Sequence, residues 1–174
     1  MAIDLVDFQR ALWARLQKAR AADVQDAHLG VVSGDMSWLL PLPEAESVLP
    51  LPPIAPIPVV QPWYLGLVNV RGNLCGVVDF ALFRGAEPTV RNKNTRLIVM
   101  SQQRFKVNAA LMVAQILGLR NLSQFTVRPR STEAPPWLRA EYEDASGKLW
   151  NELDMNALTS DERFMKVAAF KASA

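Results

Sequence analysis

The sequence predicts a mostly β domain of barrel type with a helix at each end. Three observations lead there. Between Leu29 and Leu153 the apolar residues fall in short runs separated by turn signals such as Ser33-Gly34-Asp35, Arg71-Gly72 and Asp144-Ala145-Ser146-Gly147. Helical spacing is confined to the two ends. Eight of the twelve prolines crowd into residues 41–62, a stretch that can be neither a central strand nor a helix interior. A chain of 174 residues with 50% hydrophobic content can fill one domain, or two small ones sharing a core.

The elements follow in order. Over residues 4–22 Leu5, Phe8, Leu12 and Leu16 share one stripe, with Asp4 as N-cap, Asp7 in the first turn and cations in the later turns. Residues 1–24 are therefore expected as an amphipathic helix, packed on its own domain or in a partner's groove, and residues 25–171 as the β domain. Leu29–Ser33 and Met36–Leu42 read as a hairpin. Residues 41–62 should lie extended on a core, with a short turn around 44–48, although a proline-rich ligand for a partner is an alternative. Trp63–Phe83 reads as a second hairpin, turning at Asn69–Asn73 with Gly72 supplying the permissive backbone.

After a polar, basic loop over 84–94, Arg96–Ser101 and Phe105–Gln115 read as a third hairpin. The latter carries apolar residues on both faces, which implies burial on both sides. Leu117–Leu122 and Gln124–Val127 are weaker strands, and residues 128–136 form a loop. Leu138–Tyr142 and Lys148–Leu153 pair last. A final helix is expected from about Asn156, or after a break at 159–161, to Lys171, with Leu158, Phe164, Val167 and Phe170 on its apolar side.

Charge is segregated although the net is only +2. Residues 84–130 hold nine Lys/Arg and one acid, and residues 131–162 hold eight acids and two bases. That pattern suits docking on oppositely charged partners, or two halves that face each other or solvent. Neither an aromatic-rich ribonucleoprotein motif nor a helix-turn-helix pattern accompanies the basic stretch, so nucleic-acid binding is not expected. No apolar run is long enough for a membrane span, and the first residues lack a basic-then-apolar leader pattern, so a cytoplasmic location is expected.

Catalytic chemistry is hard to assemble. One cysteine, Cys75, and one histidine, His28, preclude an internal disulfide and a cysteine–histidine zinc site. His28 reads as a surface residue ahead of the first strand. Cys75 reads as a small hydrophobe in an apolar arm. A Cys75–His28–Asp79 triad can be written down, and a Cys75-dependent hydrolase is the enzyme alternative, but no spacing supports it. Gly66, Gly72 and Gly76 do not form a phosphate loop, and the carboxylates from Asp144 to Asp154 lack calcium-loop spacing. No cofactor or metal site is expected, and a binding protein is the preferred class. Arg71 is the only charge between Trp63 and Val78. It either pairs with a carboxylate of its own fold, Asp79 being the candidate, or reaches one on another protein.

The residues Pro62-Trp63, Gly66, Val68-Asn69-Val70-Arg71-Gly72 and Val77-Val78-Asp79-Phe80 resemble the signature of the chemotaxis coupling proteins, the CheW-like family. A weaker likeness runs from Leu29 to Phe170. The N-terminal helix, the proline-rich bridge and the ending with Asp144–Gly147, Trp150, Leu153 and Phe164 look most like the twitching-motility, PilI-type branch. The resemblance implies two intertwined SH3-like β-barrels with a hydrophobic junction. It implies a non-enzymatic adaptor between the cytoplasmic tip of a methyl-accepting chemoreceptor and the regulatory domain of a CheA-type histidine kinase. Gly66, Val68, Asn69, Arg71 and Gly72 would then bind the partner, with Arg71 in a groove between the barrels. A flagellar-type coupling protein and a generic SH3-like peptide-binding module are the alternatives. The sequence departs from the family in having Gly76 for a proline, Phe80 for a leucine and Ala114 for an aspartate.

Overall fold

A computed structural model describes residues 26–169. The expected N-terminal helix of residues 1–24 lies outside them. Eleven strands form two sheets among the described residues. The first sheet begins with the hairpin β1 (Ala27–Ser33) and β2 (Met36–Pro41), joined by the expected turn. The chain then leaves it through a 3₁₀ turn at Leu42–Glu44 and builds the second sheet. That sheet contains β3 (Ala45–Pro50), β4 (Tyr64–Val70), β5 (Asn73–Asp79), β6 (Arg96–Met100) and β7 (Ala109–Val113), in the order β3-β6-β7-β5-β4. From β7 the chain returns and completes the first sheet with β8 (Gln115–Asn121), β9 (Thr126–Arg128), β10 (Leu138–Glu143) and β11 (Leu149–Leu153), in the order β8-β1-β2-β11-β10-β9. One sheet is thus inserted in the other. The parallel pairs β5–β7 and β2–β11 are the joints that long connections permit.

Alternation distributes the side chains among three cores. In β2, Trp38 and Leu40 point into the large core between the sheets, while Leu39 points into a smaller one with Tyr142 and Trp150. In β7, Leu111 and Val113 enter the large core, while Ala110 and Met112 enter a third with Val68, Val70, Cys75 and Val77. Every residue of β7 is buried, as its two apolar faces predicted. Each sheet therefore curls around its own core and shares a junction with the other. That is the two-barrel arrangement expected from the resemblance.

The proline-rich stretch divides in two. Its first part is the edge strand β3, which tolerates proline because one side has no neighbour. Its second part lies along β4, where Ala55 and Leu67 exchange backbone hydrogen bonds of 2.8 and 2.9 Å. Leu49, Leu51 and Ile54 rest on the core beneath. Prolines without N–H groups thus blunt the sheet edge.

Three expectations require correction. The second hairpin does not continue as strand to Phe83, because Asp79 accepts hydrogen bonds from Ala81 N and Leu82 N and starts a helical turn, α1 (Phe80–Phe83). The third hairpin carries a second short helix, α2 (Gln102–Phe105), closed by Lys106 at φ 54°, so β7 starts only at Ala109. The final helix breaks near 159–161, one of the two expected forms, but it ends at Met165 and does not run on toward Lys171. Helix α3 (Met155–Ser160) stops where Asp161 caps α4 (Glu162–Met165), and residues 166–169 leave the helix to pair with the proline-rich segment.

Candidate partner-binding site

The hairpin tip is built by register. Val70 pairs with Asn73, leaving a two-residue turn of Arg71 (φ 51°) and Gly72 (φ 88°). Positive φ at both positions matches the right-handed twist of the strands and favours Asn, Asp or Gly. Gly72 meets that demand. Asn69 helps, since its Oδ1 accepts a 2.8 Å hydrogen bond from Gly72 N. Arg71 does not suit the turn and is held at a position where arginine is disfavoured. A side chain that violates the local rule points to a role outside local structure.

The internal ion pair with Asp79 is absent. Asp79 is 1% exposed and spends its oxygens on Ala81 N, Leu82 N, Thr89 N and Thr89 Oγ1, the last two at 2.8 and 2.7 Å. Among the described residues, no carboxylate lies within ion-pair distance of Arg71, which is exposed.

The five sequence-read residues separate into two groups. Gly66 and Val68 are buried. Gly66 (φ 135°) is required by packing, because a Cβ there would stand 2.1 Å from Ala55 O. Val68 is part of the core of the second sheet. Asn69, Arg71 and Gly72 face solvent. Beside them stands Leu74, which is 60% exposed and opposite Asn69. The sequence reading placed Leu74 in the apolar strand and missed its outward position. Its signal was the alternation itself, since Cys75 and Val77 occupy the inner face.

A separate cavity lies away from the hairpin tip. It has a volume of about 580 Å³ and is lined by the β1–β2 turn (Gly34, Asp35), residues 85–90, Asn92 and Ala114. Arg71 does not line it. Ala114, where the family usually has an acid, does line it, and Asp35 and Glu87 bring carboxylates to the same cavity. Nearby, Arg84 ties the residues after β5 to β1. Its guanidinium donates to Ser33 O at 2.7 Å and lies over the rings of Trp38 and Phe80, and burial pushes its pKa down.

The groups of the enzyme alternative are not brought together. Cys75 is buried and burial pushes its thiol up to about 11, the opposite of an activated nucleophile. His28 is not a surface residue, which corrects the sequence reading. It sits inside β1, 3% exposed, with Nε2 3.2 Å from Glu152 Oε1 and Nδ1 3.0 Å from Asp26 O. Glu152 also accepts from the Tyr142 hydroxyl at 3.0 Å and from Arg139 Nη1 at 3.2 Å. Burial works against the Glu152 charge, but these hydrogen bonds and the guanidinium outweigh it and lower its pKa. Among the described residues, no group of three or more His, Cys, Asp or Glu side chains is arranged to hold a metal ion. No described helix is long and apolar enough to cross a membrane.

A profile of the CheW-like domain matches residues 27–163, which span both sheets and the junction. The chain belongs to the CheW-like family. It is 28% identical over 171 residues to Protein PilI of Pseudomonas aeruginosa, covering 95% of this chain and 93% of that protein. It is 27% identical over 99 residues to the Chemotaxis protein CheW of Rhizobium meliloti, covering 55% of this chain and 61% of that one. The crystal structure of the scaffolding protein TtCheW from Thermoanaerobacter tengcongensis superposes with a TM-score of 0.63 at 16% identity, over 75% of this chain and 89% of that chain. As a CheW-like protein, the chain is of the coupling and scaffolding class.

Proposed function

We propose that this protein is a non-enzymatic adaptor that links the cytoplasmic tip of a methyl-accepting chemoreceptor to the regulatory domain of a CheA-type histidine kinase, with type IV pilus twitching motility as the output. The similarity to PilI along 95% of the chain carries the pilus assignment. On this reading the protein works in the cytoplasm, recruited to receptor arrays by its partners. Its exposed tip residues Asn69, Arg71 and Gly72, with Leu74 beside them, offer one cation and one apolar contact to an acidic, helical partner surface. The adaptor has differential affinity for two kinase–receptor arrangements, so the receptor's state biases the kinase's state.

Charge reversal at the tip tests the reading. Arg71→Glu should keep the melting temperature, because the side chain is exposed and makes no ion pair among the described residues. It should weaken capture of receptor or kinase domain at least about tenfold, the scale of a central arginine contact. Undiminished binding by the folded variant would remove Arg71 from the interface. A second reading, a flagellar-type coupling protein, is favoured by the match to the Rhizobium meliloti CheW. Deletion of the gene separates the two: loss of twitching with swimming intact supports the first, and the reverse supports the second.

A further inference from the structure

The chain covers one of its own backbone edges with a short and strained clasp. After α4, residues 166–169 run antiparallel to Val59–Gln61. Gln61 N donates to Val167 O at 2.7 Å, Ala169 N donates to Val59 O at 3.1 Å, and Gln61 Nε2 donates to Ala168 O at 3.2 Å. Val60 and Ala168 are bridge partners. Pro58 and Pro62 have no N–H, so pairing is confined to the three residues between them. Val59 adopts φ 56° while being 60% exposed. A β-branched residue in the left-handed region is strained, and here its exposed side chain gains little burial in return. The strain falls on the residue whose carbonyl receives the clasp.

We propose that Val59–Gln61 is a strand-docking edge, occupied in this structure by the chain's own residues 166–169 and open to an extended segment of a partner protein that mimics them. The occupant's chemistry can be read from the clasp. Val167 packs half-buried against the large core, whereas Ala168 and Ala169 are exposed. The partner segment therefore sets a β-branched residue on the core at the place of Val167, followed by residues free to vary. Affinity comes from main-chain pairing, as in other strand additions. The clasp sits beside a pocket of about 220 Å³ lined by Gln61, Trp63, Arg163 and Lys166, so its departure also changes that surface. The inference is independent of the coupling role proposed above.

The test uses the full chain and a fluorescent peptide of residues 163–169. Ala169→Pro removes one clasp hydrogen bond and leaves the edge itself intact. It should bind the peptide roughly five- to tenfold more tightly than the wild type. Val59→Asn places at the strained position a residue that tolerates positive φ, so the clasp should hold better and peptide binding should fall about fivefold or more below the wild type. A Val60→Cys, Ala168→Cys pair locks the clasp when oxidised and frees it when reduced. Binding in the reduced form alone supports the proposal, and this comparison decides the matter even where Ala169→Pro fails to fold. Equal binding by the oxidised and reduced forms, or no gain in a folded Ala169→Pro, overturns it.

Discussion

Asp79 shows how one side chain can settle a local choice. Its carboxylate caps α1 through Ala81 N and Leu82 N and ties the following loop through Thr89. Asp79→Ala leaves these buried donors without partners and should cost about 3 kcal/mol in urea unfolding. A cost below about 1 kcal/mol would show that water replaces the carboxylate. Glu44 behaves in the opposite sense. Burial raises its carboxyl pKa, only partly offset by Arg139, and its Oε2 has no hydrogen-bond partner. A raised carboxyl pKa means that ionisation costs stability as pH rises. Glu44→Gln should therefore melt above the wild type at pH 7, with the difference shrinking as pH falls toward 4.5. A lower melting temperature at pH 7 would mean that the contact with Arg139, at 3.8 Å, outweighs the burial. At this scale the sequence was legible where the chemistry is local. The turn demand at Gly72 could be read from neighbours. The burial of His28 could not, because its partner Glu152 is 124 residues away.

Elements were legible where a period or a turn signal governs them. The three hairpins follow from alternation and from Gly34 and Gly72. The two-sided burial of β7 follows from its unbroken apolar run. The end of the chain was read as helix to Lys171, with or without a break at 159–161, because Leu158 and Phe164 do share a buried side, yet residues 166–169 find backbone partners at 59–61. Tertiary pairing overrides helical spacing there. The pair Gly76–Tyr64 gives an element-scale prediction. A Cβ on Gly76 would lie 2.3 Å from the Tyr64 hydroxyl and 2.9 Å from its ring, across the β4–β5 pair. This accounts for a glycine at position 76. Gly76→Ala alone should destabilise by about 2 kcal/mol through overpacking. Combined with Tyr64→Ala it should cost less than the sum of the two single changes, because the smaller residue vacates the space. Strict additivity in the double-mutant cycle would refute the packing explanation.

The largest core of the molecule belongs to both sheets. Trp38 and Leu40 come from the first sheet, Ile98 and Leu111 from the second, and Trp137, Met155 and Phe164 from the closing segments. Charge segregation along the sequence is partly neutralised within the fold, since Arg128 of the basic stretch pairs with Glu143 of the acidic one. Inside the acidic stretch, Arg139 gathers Glu44, Glu152 and Asp154 near the junction. For Glu152 and for Asp154 alike, burial raises the pKa but hydrogen bonds and Arg139 lower it further, so the net direction is downward. A depressed carboxylate stabilises the fold above its unfolded pKa, 4.5 for Glu152 and 3.8 for Asp154, and loses that contribution as pH falls through the folded value. Acid should therefore unfold the whole molecule in one transition, seen together by tryptophan fluorescence and far-ultraviolet circular dichroism, and not one sheet before the other. Glu152→Gln leaves His28 without its carboxylate and removes one of the three that Arg139 contacts, and should cost about 2 kcal/mol at pH 7. It should also flatten the fall of melting temperature below about pH 5, because the group whose titration drives part of that fall is gone. An unchanged acid slope in the folded variant would assign the slope to other carboxylates, and two separated transitions would show that the shared core does not couple the barrels.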